Sequence, residues 1–326
     1  MVINGYTLTT ELNNANSGFS KWGFATKNGR EYFIKELITP VYPMDEGVMS
    51  PELLKSRRDY CLSFENRYRT FYNTLNKAGY GSLVRIVEFF RCDSRYYVVT
   101  EKVAGDTIPA NLVSTLSVPD KYLLIKSIAF AFFWLHRANI IHFDVKPSNI
   151  MIKRTRTGKY TGKLIDFDAG FFKNEPREDV ELGGDLTYLA PETFLAMAGE
   201  QVTLTEKTDI FSLGLVFHEL FAGFLPYFDQ AEYDYPFEAV LNGGELTVNN
   251  RFIPPAFGEL IMKMLSVNPE DRPSSEEIIQ TLATVSGAGS FIPPETPPDV
   301  PEPEPVPGRK EMPKVSSGWF HTAGDL

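Results

Sequence analysis

Two short segments hold the residues best suited to chemistry. His142-Phe143-Asp144-Val145-Lys146-Pro147-Ser148-Asn149 follows an apolar stretch and runs into the strand-like Ile150-Met151-Ile152. Seventeen positions beyond Asn149 lies Asp166, within Leu164-Ile165-Asp166-Phe167-Asp168. Together the segments offer acidic side chains, an amide and a lysine, each flanked by apolar strand residues. Such a set suits a phosphate and a divalent cation, because phosphoryl transfer asks for positioning and charge neutralisation more than for covalent chemistry. Taken singly, each residue is equally well explained as a side chain solvating its own turn. Their joint presence makes that explanation less economical.

Other candidates follow a consistent order along the chain. Phe33-Ile34-Lys35 places a lysine on a strand, and Phe64-Glu65-Asn66-Arg67 lies on a helical stretch. Val98-Val99-Thr100-Glu101-Lys102-Val103-Ala104-Gly105-Asp106 reads as a strand end and a glycine turn. Ala190-Pro191-Glu192, then Asp209 five residues before Gly214, then Asn268-Pro269-Glu270-Asp271-Arg272-Pro273 complete the series. Over about residues 6–284 these motifs resemble the eukaryotic-like serine/threonine protein kinase family. The absence of a membrane segment and a degenerate glycine loop point towards its bacterial members.

The resemblance implies an α+β, bilobal protein kinase fold: a small β-rich N-lobe over about 1–103 and a larger α-helical C-lobe over about 104–284. It implies ATP and Mg²⁺ as cofactors, with Mn²⁺ as an alternative, and serine or threonine in a protein as acceptor. Asp144 matches the catalytic aspartate and Lys146 the lysine that contacts the transferring phosphate, at a spacing typical of serine/threonine-specific members. Asn149 and Asp166 match the metal ligands. Lys35 matches the lysine on the α- and β-phosphates, and Glu65 the helix glutamate that fixes it, with Glu52 as a competing carboxylate. Thr100 takes the gatekeeper position, the backbone of Glu101 and Val103 faces adenine, and Asp106 reaches the ribose. Glu192 is expected to pair with Arg272, and Asp209 to brace the catalytic loop or to cap its own helix.

Several positions depart from the family pattern. Where G-x-G-x-x-G is expected the chain reads Ala15-Asn16-Ser17-Gly18-Phe19-Ser20, so Ala15, Ser17 and Ser20 replace glycines. Gly18 and Phe19 form the tip, and Trp22 and Ala25 hold the positions that cover adenine. Small residues still admit phosphate, but tolerate positive φ less well than glycine, so weaker or slower nucleotide binding is expected. Phe143 stands where most members carry the arginine that receives an activation-loop phosphate. The segment Gly170–Gly184 contains no Ser, Thr or Tyr, so receptor and acceptor are lost together. Activity is therefore expected not to need phosphorylation there. Asp168 replaces a glycine and should restrict the flip of its segment. Asp185 replaces a threonine and could pair with Lys146, favouring basic peptides.

The elements that must position these residues are legible in outline. Residues 5–40 alternate like short strands with Gly and Asn turns, and residues 52–78 carry a helical stripe of Tyr60, Phe64, Tyr68, Phe71 and Leu75. Strands are expected at Val84–Cys92 and Tyr96–Lys102, and helices at Lys121–Ala138, Thr208–Ala222, Pro255–Leu265 and Ser274–Thr284. Residues 285–326 read as a proline-rich tail: Phe291–Pro313 holds nine prolines, and Trp319-Phe320 near the end could meet a protein partner within 310–326. At 326 residues the chain can bury a large core, and a net charge of -10 argues against nucleic acid as a partner. Two cysteines, Cys61 and Cys92, suit a reducing compartment. No signal peptide or membrane span is seen, so a cytoplasmic protein is expected. Three other readings compete: a nucleotide-binding pseudokinase scaffold, a small-molecule phosphotransferase, and an adaptor acting through its tail.

Overall fold

Alternation and turn chemistry build the first layer. In the computed structural model, which describes residues 1–14, 20–44, 49–79, 81–103, 107–173, 175 and 185–287, six strands form one antiparallel sheet. They are β1 (Val2–Ile3), β2 (Tyr6–Leu8), β3 (Ser20–Lys27), β4 (Arg30–Leu37), β5 (Ile86–Cys92) and β6 (Arg95–Glu101), in the order β1-β2-β3-β4-β6-β5. Asn28 (φ 52°) and Gly29 (φ 72°) close the β3–β4 hairpin in the left-handed region, as a tight two-residue connection requires. Of the sequence expectations, Ala15, Ser17, Gly18, Phe19, Asp106, most of Gly170–Gly184 and the tail beyond 287 lie outside the described residues.

Helix α1 (Pro51–Ala78) crosses this sheet. Ser50 caps it by accepting from the Leu53 amide, with Pro51 and the acidic Glu52 in its first turn. Its apolar face buries Cys61, Phe64, Phe71 and Leu75, and Phe64 meets Tyr96 of β6 at 5.1 Å between ring centroids. Tyr60, expected in that stripe, is instead 49% exposed. At about 100° per residue, i+4 steps drift sideways, which leaves Tyr60 at the margin while Cys61 turns inward.

The second layer is helical. It comprises α2 (Val118–Arg137), α3 (Pro191–Met197), α4 (Lys207–Ala222), α5 (Pro236–Leu241), α6 (Pro255–Met264) and α7 (Ser275–Val285). Helices α2 and α4 are apolar on nearly every face and are correspondingly buried on nearly every face. Between them and the sheet run the short strands β7 (Thr107–Ile108), β8 (Ile140–Ile141), β9 (Ile150–Arg154), β10 (Tyr160–Leu164) and β11 (Phe171–Phe172). The β9–β10 hairpin lies tight on α2 because Gly162 has no Cβ; a methyl group there would collide with the Ile128 side chain. Among the described residues no helix is long and apolar enough to cross a membrane.

Candidate active site

The two layers enclose a cleft of about 350 Å³. Period-2 alternation decides which sheet residues face it. Trp22 and Phe24 of β3, Phe33 and Lys35 of β4, and Val98 and Thr100 of β6 line it, facing Met151 and Ile165 from the other layer. Trp22 stacks on Phe33, with centroids 5.6 Å apart. Ala25, expected over the cleft, lies on the opposite face of the sheet, packed in a cluster with Ile34, Tyr97 and Val99. It is three residues from Trp22, and a regular strand sends such a pair to opposite faces. Phe24 and Phe33 were missed as lining residues, although counting in twos from Trp22 and Lys35 finds both. Glu101, Lys102 and Val103 form the cleft edge where β6 ends, and the Glu101 side chain accepts from the Arg85 amide and pairs with Lys163.

Lys35 is buried, yet carries two carboxylates. Its Nζ lies 2.8 Å from Asp166 Oδ1 and 2.8 Å from Asp168 Oδ2. Burial opposes its charge, but the charges of Asp168 and then Asp166 outweigh it and hold the ammonium well above the ordinary lysine range. Burial raises the Asp168 carboxyl, and the neighbouring Asp166 raises it further. The expected Lys35–Glu65 pair is not made: Glu65 accepts from the Tyr96 hydroxyl at 2.9 Å and lies 3.6 Å from Arg91 Nε. Arg91 and Tyr96 belong to the β5–β6 hairpin, and they hold Glu65 against that hairpin, away from the cleft. Ser20, fully buried, donates from Oγ to Asp168 Oδ2 at 3.4 Å.

The catalytic-loop candidates sit together. Asp144 Oδ2 accepts from Lys146 Nζ and from Asn149 Nδ2, both at 2.8 Å. Asn149 Nδ2 also donates to the Asp144 carbonyl at 2.8 Å. With its NH₂ thus committed, the Asn149 side-chain oxygen is the atom left for a cation. Among the described residues no cluster of three or more His, Cys, Asp or Glu could hold a metal. One amide oxygen and the Asp166 carboxylate nonetheless fit Mg²⁺, which usually takes few protein ligands and completes its shell with water and phosphate. Asp185 does not reach Lys146 but caps its own turn, accepting from the Thr187 amide at 3.0 Å.

Two buried acids fasten the helical layer, one of them to the loop. Asp209 accepts the backbone amides of His142 and Phe143, each at 2.8 Å, and the His136 ring at 2.9 Å. It therefore braces the loop and caps no helix; its own helix begins at Lys207, with Glu206 at the N-cap position and no side-chain cap. The brace holds Phe143 at φ 70°, a conformation costly for a bulky residue. The Phe143 ring is buried against Phe171, with centroids 5.3 Å apart. Further out, Glu192 takes Arg272 in a bidentate pair at 2.7 and 2.9 Å. The other guanidinium hydrogens go to the carbonyls of Ser266, Lys207 and Val267, so all five donors are used.

Residues 46–282 match the family model described as the protein kinase domain. The chain belongs to that family. It is 26% identical to an Aurora kinase of Schizosaccharomyces pombe over 259 residues, 78% of this chain and 67% of that one. Human serine/threonine-protein kinase DCLK3 is 26% identical over 209 residues, covering 61% of this chain and 30% of the relative. The calcium/calmodulin-dependent protein kinase cmkA of Emericella nidulans is 26% identical over 212 residues, covering 63% and 49%. The kinase domain thus spans half or less of the latter two relatives.

Proposed function

We propose that this kinase transfers the γ-phosphate of ATP to serine and threonine hydroxyls of protein substrates. The observation that carries the reading is the knot of Asp144, Lys146 and Asn149, below a cleft whose other members are Lys35 and Asp166. The apolar walls formed by Trp22, Val98 and Met151 suit a purine, with Thr100, Glu101 and Val103 along its edge. Lys35 is placed for the α- and β-phosphates, and Asn149 with Asp166 for Mg²⁺. When bound, Mg²⁺ neutralises charge on the phosphate oxygens. Asp144 orients the acceptor hydroxyl and takes its proton, while Lys146, already on Asp144, offsets negative charge on the phosphoryl in transit.

The Phe143–Phe171 contact supports activity without activation-segment phosphorylation, since an apolar side chain fastens the loop where an arginine would need a phosphate. Residues 1–284 form the catalytic domain, and 310–326, within the proline-rich tail, take a protein partner. Asp144→Asn tests the chemistry: phosphorylation of a generic protein substrate should fall about a hundredfold or more while Mg-ATP still binds. Equal turnover by the variant would reject Asp144 as base. Phosphatase-treated protein should keep its rate; loss of rate would reject phosphate-independent activity. The scaffold reading would gain if Mg-ATP bound with no turnover in either protein.

A further inference from the structure

The cleft lysine has an unusual set of neighbours. Lys35 faces two carboxylates that sit two residues apart on one segment, and both touch its Nζ at 2.8 Å. One of them, Asp166, is the carboxylate that the nucleotide reading gives to the cation. Were it the only partner, Lys35 would lose its orienting charge whenever Asp166 turned to the metal. Asp168 removes that conflict. Its carboxylate is the more enclosed of the two, with 17% of its side chain exposed against 38% for Asp166. The same Oδ2 also receives the buried Ser20 hydroxyl at the start of β3. Glu65, the helix residue expected here, is committed to Tyr96 and Arg91.

We propose that Asp168 is the positioning residue for Lys35, in place of Glu65, and that it frees Asp166 for the cation. A carboxylate on the segment after β10 then sets the lysine, and a hydroxyl on β3 steadies that carboxylate. Helix α1 takes no part. The inference rests on the nucleotide-binding reading only for its consequence; the positioning itself can be measured in nucleotide-free protein.

The first measurement is pulse labelling of amines with acetic anhydride on the full chain, followed by mass spectrometry of the Lys35 peptide. Asp168→Asn should raise the Lys35 labelling rate severalfold, because the amine loses one of the two contacts that hold it inside the cleft. Glu65→Gln should change it less than twofold. Equal responses, or a larger one from Glu65→Gln, overturn the proposal. The second measurement is the Kd for Mg-ADP by titration calorimetry across a cycle of Lys35→Ala, Asp168→Asn and the double variant. Asp168→Asn should weaken binding about tenfold in the wild-type background and less than twofold once Lys35 is absent. Additive losses overturn the proposal even if every variant is folded. If wild-type protein binds no Mg-ADP while labelling responds as expected, the nucleotide reading fails and the positioning role stands.

Discussion

Arg272 illustrates how much a single residue can be asked to hold. It is almost fully enclosed, and all five of its donors are used, two of them on Glu192. Glu192 in turn accepts from the Thr208 hydroxyl at 3.0 Å, which ties α3 to α4. Removing one partner leaves a buried charge without compensation. Arg272→Leu should therefore cost about 3–5 kcal/mol, measured by urea unfolding, whereas removing an exposed pair such as Lys102–Glu31 should cost less than about 1 kcal/mol. The Glu192–Arg272 pair was readable through the family resemblance of its two motifs; so were Asp144, Lys146 and Asn149, whose mutual distance a short loop fixes locally. Lys35 was readable too, but its partner was not. Which carboxylate reaches a buried ammonium depends on where α1 docks, and a helix stripe gives the docking face without the lateral offset. Ala25 failed for a simpler reason, a miscount of strand parity.

At the scale of elements, the signals that fared best were caps and amphipathic stripes. Helix α7 was expected at Ser274–Thr284 and spans Ser275–Val285. Ser274 and Glu277 make its reciprocal capping box, and two hydrogen bonds from Ser274 hold the Glu277 carboxyl below the usual range. Ser274→Ala should lower stability by about 1 kcal/mol, visible as a shift of the denaturant midpoint at unchanged slope. The two-residue strands β1, β7, β8 and β11 were not legible. They carry too little alternation to register, and for β7, β8 and β11 the partners lie far away in sequence: β8 pairs with β11 across some thirty residues. These small ladders nevertheless matter, since β8 leads directly into His142 and β11 follows closely on Asp166 and Asp168.

At the scale of the molecule, the C-terminal layer carries a buried histidine that links its stability to pH. His218 is fully enclosed in α4. Its Nδ1 donates to the Phe224 carbonyl at 2.7 Å, and Nε2 accepts from the Asn249 amide at 3.3 Å. Burial lowers its pKa, against a smaller raising effect of the Phe224 bond. Unfolded, the ring takes up a proton near pH 6.5; folded, it does so only at lower pH. Between these values the unfolded chain binds the extra proton, so stability is full above about pH 6.5 and falls as pH drops below it. Thermal melts from pH 7.5 downwards should show that decline, and His218→Asn, which keeps a donor for Phe224, should flatten it. The two-layer architecture itself was legible from the change of periodicity along the chain, whereas the cleft was legible only through family likeness.

The contact between Phe143 and Phe171 has a consequence for control. A fastening made of charge can be installed by one enzyme and stripped by another, and it weakens as salt is added. Two aromatic rings give neither writer nor eraser a handle, and charge screening does not weaken them. Their grip answers to temperature instead, loosening as the protein is cooled. On the proposed phosphate-independent activity, control over when this kinase fires would enter through access to the cleft or through delivery of the acceptor.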